Sequence, residues 1–182
     1  MSMAEKVDQL IASQFGELTT SIQRDLVLNF KKIMEESPLS EEDRLLNLAA
    51  IGRSLHHSGF ENFATEQLRA AGMAPENVRE AIETAAIMGM LNTYYKFKGY
   101  LSAESLPDYP RAGLRMQSLS KPANGKEKFE MMSFSVSVIN GCPTCVSSHE
   151  KALRQLGVDA DRIHDLGRLA AVCKGLSCLP TH

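Results

Sequence analysis

The chain has 182 residues, 43% hydrophobic and 23% charged, the balance of an ordinary globular protein. Twenty basic against 22 acidic residues leave a net charge of −2, which excludes nucleic-acid binding driven by bulk positive charge and gives no polybasic membrane surface. No apolar run approaches the ~20 residues of a spanning helix, the first residues show no apolar signal region, and four cysteines are too few for a disulfide scaffold, so a cytoplasmic chain with reduced cysteines is expected.

Apolar residues at Val7, Leu10, Ile11, Phe15, Leu18, Ile22, Leu26, Phe30 and Ile33 recur every three or four positions and predict helix over 3–36. Gly16 and Thr19-Thr20 are the place for a break into two helices, and Ser37-Pro38 ends the second. Ser40 with Asp43 three residues on resembles a capping box and starts a helix toward His57. Ser58-Gly59 reads as its stop. A short helix from Phe60 to Ala71 follows, closed by Gly72 as a left-handed cap. Pro75 suits the first turn of a helix reaching about Phe97.

Residues 98–125 hold Pro107, Pro110, Pro122, Gly99, Gly113 and Gly125, and read as a linker with one helical turn around Leu114 to Leu119. Helix signals resume over 126–140, 143–156 and 159 to about 178, with Gly157 and Asp159 as stop and start. Ser133 to Val138 alternates with period two, a strand signal. No second strand is predicted to pair with it and its flanks favour helix, so helix is expected.

The chain repeats at an offset of 85 residues. Leu68-Arg69-x-x-Gly72 matches Leu153-Arg154-x-x-Gly157, Val78 falls on Ile163, Ala85-Ala86 on Ala170-Ala171, and Leu91 on Leu176. In this register Cys142 corresponds to His57 and Cys145 to Phe60. The expectation is an all-α chain: one domain over 1–182, built of a duplicated helical unit in two halves (about 1–97 and 126–182) joined by linker 98–125.

The chemistry concentrates in Asn140-Gly-Cys142-Pro-Thr-Cys145-Val-Ser-Ser-His149-Glu150. Pro143 as first helical residue makes Cys142 the N-cap at an exposed helix end. Two cysteines three apart on a first turn can bring their sulfurs within bonding reach. The unsatisfied N–H groups of the helix start favour thiolate over thiol, and free cysteine, with a pKa of about 8.5, is otherwise only about 3% ionised at pH 7. His149 lies four residues after Cys145, on the same helix face, where it can exchange a proton with sulfur. The helix-end argument favours Cys142 as the attacking thiolate and the spacing to His149 favours Cys145. The competing reading is a zinc half-site of Cys142, Cys145 and His149, with Cys173 or Cys178 as a further ligand. Cys173 falls on Met88 in the repeat and reads as core. Glu130, in the apolar setting Phe129-Glu130-Met131-Met132, is a carboxylate whose burial could let it exchange protons near neutral pH. His56-His57 reads as capping or solvated, His164 as exposed and His182 as terminal. Met88, Met90, Met116, Met131 and Met132 read as core or subunit contacts.

The spacing Glu130-x11-Cys142-x2-Cys145-x3-His149 resembles the signature of the alkyl hydroperoxidase D family, in the carboxymuconolactone decarboxylase-like superfamily. Ala85-Ala-Ile-Met-Gly-Met-Leu-Asn-Thr-Tyr-Tyr95, Gly113-Leu-Arg-Met116, Phe134-Ser-Val-Ser-Val-Ile-Asn-Gly-Cys142 and Ser148-His149-Glu150 carry the resemblance over roughly 5–178. It implies a duplicated helical fold, a homotrimer, and no tightly bound cofactor. It implies alkyl hydroperoxide reductase activity and regeneration of a partner peroxiredoxin of the alkyl hydroperoxide reductase C type. Electrons would come from dihydrolipoamide on a lipoyl-bearing 2-oxoacid dehydrogenase subunit. By the same resemblance Cys145 becomes the sulfenic acid, Cys142 its resolving partner, and Glu130 and His149 the proton relay. Family members can carry histidine just before the second cysteine, where this chain has Thr144, so a shorter relay is expected. A lactone decarboxylase of the same superfamily is the remaining alternative.

Overall fold

Residues 1–180 are described by a computed structural model; His182 lies outside the described residues. Eight α-helices follow in order: α1 (Met3–Phe15), α2 (Ser21–Glu36), α3 (Glu41–Ser54), α4 (Ser58–Ala70), α5 (Pro75–Tyr100), α6 (Gly125–Ile139), α7 (Pro143–Gln155) and α8 (Ala160–Leu176). Two short 3-10 turns, Leu106–Asp108 and Gln117–Ser120, lie between α5 and α6. No strand occurs among the described residues.

Side-chain caps start most of these helices, each worth about 1 kcal/mol. Ser2, Thr20, Ser40 and Asp159 accept from the backbone N–H three residues on. The break between α1 and α2 falls at Gly16 as the sequence predicts, and Thr20 with Gln23 completes a reciprocal capping box. At Ser40 only half of the expected box forms: Asp43 N–H donates to Ser40 Oγ at 3.1 Å, while the Asp43 carboxylate accepts from Arg162 at 3.2 Å.

Ser58-Gly59 does not stop a helix; it opens α4. The preceding helix already ends at Ser54, because His56 takes the left-handed conformation (φ 55°). His57 N–H then reaches back to the Gly52 carbonyl at 2.8 Å, and His56 N–H to Arg53 at 3.2 Å. His57 then caps α4 by accepting from the Phe60 N–H at 3.3 Å. Capping is one of the two roles the sequence reading gives His56-His57, and His57 fills it; its burial between Phe15 and Phe60 depends on packing. That burial pushes the His57 pKa below its ordinary value, against a backbone hydrogen bond that raises it.

The helix bounds recur at the 85-residue offset. α3 ends at Ser54 and α6 at Ile139; α4 spans Ser58–Ala70 and α7 Pro143–Gln155; α5 starts at Pro75 and α8 at Ala160. Gly72 (φ 83°) and Gly157 (φ 87°) close α4 and α7 with matching left-handed turns. α8 is shorter than α5, which runs on toward the linker.

α6 is the segment with the period-two signal, and it is helical because it is covered on all sides. It packs against α3, α5, α7 and α8. Phe129, Met132 and Val136 join the larger core with α1 to α5 and α8, and Met131 and Phe134 face a smaller core with Leu153, Ile163 and Leu166. The alternating serines are therefore all buried. Ser135 Oγ donates to Asn47 Oδ1 at 2.8 Å and Ser137 Oγ accepts from Asn92 Nδ2 at 2.9 Å, which offsets the cost of enclosing these two hydroxyls, while Ser133 Oγ has no hydrogen-bond partner among the described residues. Met88 and Cys173, paired by the repeat, are both fully enclosed core residues.

Candidate active site

The helix end at α6 sets the position of both motif cysteines. Gly141 supplies the left-handed conformation (φ 62°). It lets Cys142 N–H reach the Ser137 carbonyl at 3.2 Å and Gly141 N–H reach Val138 at 3.1 Å. The same two-bond turn ends α3 at His56-His57, so Cys142 is an N-cap where His57 is one. Cys142 and Cys145 are disulfide-bonded, with Cα atoms 5.3 Å apart. The expected reach of a three-residue spacing on a first helical turn is thus realised.

The helix end is exposed at Gly141, Pro143 and Thr144, as the sequence reading expects, but the two cysteines within it are buried. Cys142 is 1% and Cys145 6% accessible. α7 packs against both α6 and α5, which covers the two cysteines. Access runs through a cavity of about 310 Å³. Its wall combines Thr144, Cys145, Ser148 and His149 of α7, Leu91, Asn92 and Tyr95 of α5, and Met116 and Leu119 of the linker. Cys145 is on this wall and Cys142 is not.

Behind the cavity a polar chain runs to the surface. His149 Nδ1 lies 2.6 Å from Glu130 Oε2, and Lys126 Nζ lies 2.7 Å from Glu130 Oε1. The Glu130 side chain is 8% exposed and that of Lys126 53%, so the chain leads outward. Burial would raise the Glu130 pKa, but the hydrogen bonds from His149 and Lys126 outweigh it, and the carboxyl is held below its ordinary value. This corrects the expectation of a carboxylate titrating near neutral pH. The sequence showed the apolar neighbours of Glu130 but not that His149 and Lys126 converge on it. An ionised Glu130 fixes the proton of His149 on Nδ1 and leaves Nε2 as the nitrogen free to exchange protons with a group in the cavity.

The other sequence candidates lie elsewhere. His164 and His56 are exposed and His57 is enclosed in the first half. Cys173 and Cys178 stay free, and burial pushes the Cys173 thiol pKa far up, which makes it inert. No group of three or more His, Cys, Asp or Glu side chains among the described residues converges as a metal site. The sequence reading missed Lys126, although its four-residue spacing to Glu130 was visible. It also gave no role to Asn92, Tyr95, Leu119 or Ser148, which join the wall only through folding, and placed Met116 as core or contact.

Residues 111–177 match the carboxymuconolactone decarboxylase family. An alkyl hydroperoxide reductase AhpD of Rhizorhabdus wittichii is 36% identical over 88% of this chain and 92% of its own length. One from Rhodococcus erythropolis is 38% identical over 85% and 84%, and one from Mycobacterium tuberculosis 39% identical over 85% of each. The chain belongs to the alkyl hydroperoxidase D family. In this family member the matched 111–177 segment holds Met116, Leu119, Lys126, Glu130, both motif cysteines and His149.

The alkyl hydroperoxidase D site of this chain carries Thr144 on the cavity wall, where a hydroxyl cannot titrate near pH 7. Replacing Thr144 by histidine is expected to lower the pH midpoint of Cys145 alkylation by iodoacetamide, because an imidazolium beside the sulfur favours thiolate. Superimposable pH–rate profiles for the two proteins would remove any role for this position in thiol ionisation.

Proposed function

We propose that this chain is an antioxidant thiol–disulfide oxidoreductase with alkyl hydroperoxide reductase activity. The observation that carries the reading is the Cys142–Cys145 disulfide, with Cys145 on a cavity wall beside a His149–Glu130 pair. Relatives named alkyl hydroperoxide reductase AhpD over most of the chain support the same chemistry.

In the dithiol form, His149 Nε2 takes the Cys145 proton. The thiolate attacks the outer oxygen of a hydroperoxide, the O–O bond breaks, and the alkoxide takes the proton from His149 to leave as an alcohol. Cys145 is now a sulfenic acid. Cys142 condenses with it to give the disulfide and water. Glu130 holds the imidazole proton in place through both steps. Dihydrolipoamide attacks the disulfide, passes through a mixed disulfide, and leaves as lipoamide with the pair restored to dithiol. The same exchange, run against a disulfide of a peroxiredoxin of the alkyl hydroperoxide reductase C type, returns that partner to its thiol form.

The lipoyl-bearing 2-oxoacid dehydrogenase subunit is the proposed electron source, the homotrimer the proposed assembly, and a cytoplasmic setting the proposed location. Among the described residues no helix is long and apolar enough to cross a membrane. The family match by name favours one second reading, a lactone decarboxylase; such turnover would survive loss of both cysteines.

A coupled assay with lipoamide, lipoamide dehydrogenase and NADH tests the proposal. Adding cumene hydroperoxide and the protein is expected to drive NADH oxidation in proportion to protein. NADH consumption no faster than without the protein would overturn it.

A further inference from the structure

Asn92 stands on the cavity wall with Cys145 and His149, 1% accessible, and no step above uses it. A chain of hydrogen bonds holds its amide. Ser54 Oγ donates to Asn140 Oδ1 at 3.3 Å, Asn140 Nδ2 donates to Asn92 Oδ1 at 3.0 Å, and Asn92 Nδ2 donates to Ser137 Oγ at 2.9 Å. The chain starts at the end of α3 and runs through the two residues that shape the turn before the motif. Asn140 precedes Gly141, and the Ser137 carbonyl accepts the Cys142 N–H.

In this arrangement Asn140 donates to one end of the amide and Ser137 accepts from the other, and in either sense of the chain only one of the two amide hydrogens is used. Ser137 uses one of the two Nδ2 hydrogens. The second has no acceptor among the described residues, although the side chain is enclosed in protein and borders the cavity. A buried amide hydrogen without a partner is costly, and a site that keeps one beside a nucleophile is suited to an acceptor that arrives with the substrate.

We infer that Asn92 is a catalytic residue whose free amide hydrogen binds the hydroperoxide and stabilises the charge that develops on its leaving oxygen. The inference rests on the peroxide-reductase reading above. As Cys145 sulfur bonds to the outer oxygen and the O–O bond breaks, an electron pair moves onto the inner oxygen. His149 delivers the proton to that oxygen, and the Asn92 N–H stabilises it until the proton arrives. Net, thiol and hydroperoxide give sulfenic acid and alcohol. A preorganised donor of this kind, held by Ser137 and Asn140, needs no reorganisation during the reaction.

The test compares wild type, Asn92→Ala and Asn92→Asp in two reactions of the reduced protein. One is sulfenic acid formation with cumene hydroperoxide; the other is alkylation by iodoacetamide, each read at the high-pH plateau where the thiol is fully ionised. Aspartate keeps the shape and the bond from Asn140, and the Ser137 hydroxyl can turn to donate to it, so this variant remains informative if alanine unfolds the protein. The second-order rate with peroxide is expected to fall about 10- to 100-fold in both folded variants, with alkylation within about two-fold of wild type because iodide leaves without that oxygen. A parallel fall in both reactions would make Asn92 a structural residue and overturn the inference. An aspartate variant as fast as wild type with peroxide would overturn it too. A wild type that forms no sulfenic acid would remove the functional reading itself, and the inference with it.

Discussion

Replacing Cys145 by serine is expected to reduce peroxide turnover by about 10³-fold or more, because the group that attacks oxygen is gone. Replacing Cys142 is expected to stop turnover differently. Cys145 still reacts once, and the sulfenic acid then persists for lack of a neighbour to condense with it. A dimedone-type trap with mass spectrometry separates the two: the adduct belongs on Cys145 in the Cys142→Ser protein, and none forms in the Cys145→Ser protein. The asymmetry follows from the cavity, which has Cys145 among its lining residues and not Cys142. An adduct on Cys142 in the Cys145→Ser protein, with peroxide still consumed, would reverse the two roles.

The second large effect is at Glu130. Glu130→Gln is expected to lower peroxide turnover by about 100-fold. The glutamine amide can donate to His149 Nδ1, which would put the imidazole proton on Nε2, the nitrogen that must take a proton from Cys145. Even where the glutamine oxygen accepts instead, the negative charge that favours a protonated ring during turnover is lost. The same change has a signature in stability. The folded carboxyl is held below its ordinary pKa, so it contributes stability above the unfolded value of about 4.3, and that contribution is lost as pH falls through the folded value. Thermal unfolding of the wild type is therefore expected to show a steeper decline below about pH 4.3 than unfolding of the glutamine variant. Equal turnover and parallel stability curves would take Glu130 out of the relay.

Lys126 is the second group paired with Glu130. It pairs with Glu130 at 2.7 Å and is half exposed, so it is one route by which the buried carboxylate keeps its charge. Lys126 without Glu130 simply faces solvent. Loss of activity in Glu130→Gln therefore reports on the link to His149 and not on an orphaned lysine.

Much of the site was legible because its parts are local. Cys142, Cys145 and His149 lie within two turns of one helix, and a three-residue spacing at a helix start brings two sulfurs together whatever surrounds them. Glu130 was legible as an odd carboxylate in an apolar stretch, but its ionisation was not. Burial and hydrogen bonding push its pKa in opposite directions, and the outcome depends on His149, 19 residues on, and on Lys126. Between the two cysteines the residues alone left a tie, and only the family resemblance pointed to Cys145. Helix-end electrostatics and sequence spacing disagree, whereas the cavity, with walls from α5, α7 and the linker, has Cys145 among its lining residues and not Cys142.

Helix positions were set largely by the chain itself. Ser, Thr and Asp caps and left-handed glycines act on backbone groups within a few residues, so the starts of α2, α3 and α8 and the ends of α4 and α7 could be read directly. The 85-residue repeat was legible for the same reason, since it repeats those local signals. Tertiary packing decided the rest. The ring of His57, readable as a cap, is enclosed between Phe15 and Phe60 only in the folded chain. Alternating serines became a buried helix only because α6 is surrounded, and Asn92 met Ser137, 45 residues away, only once α5 lay against α6. A cap acts within one turn of backbone, whereas burial, the pKa of an enclosed carboxylate and the wall of a cavity are properties of segments distant in sequence that meet only in the folded chain.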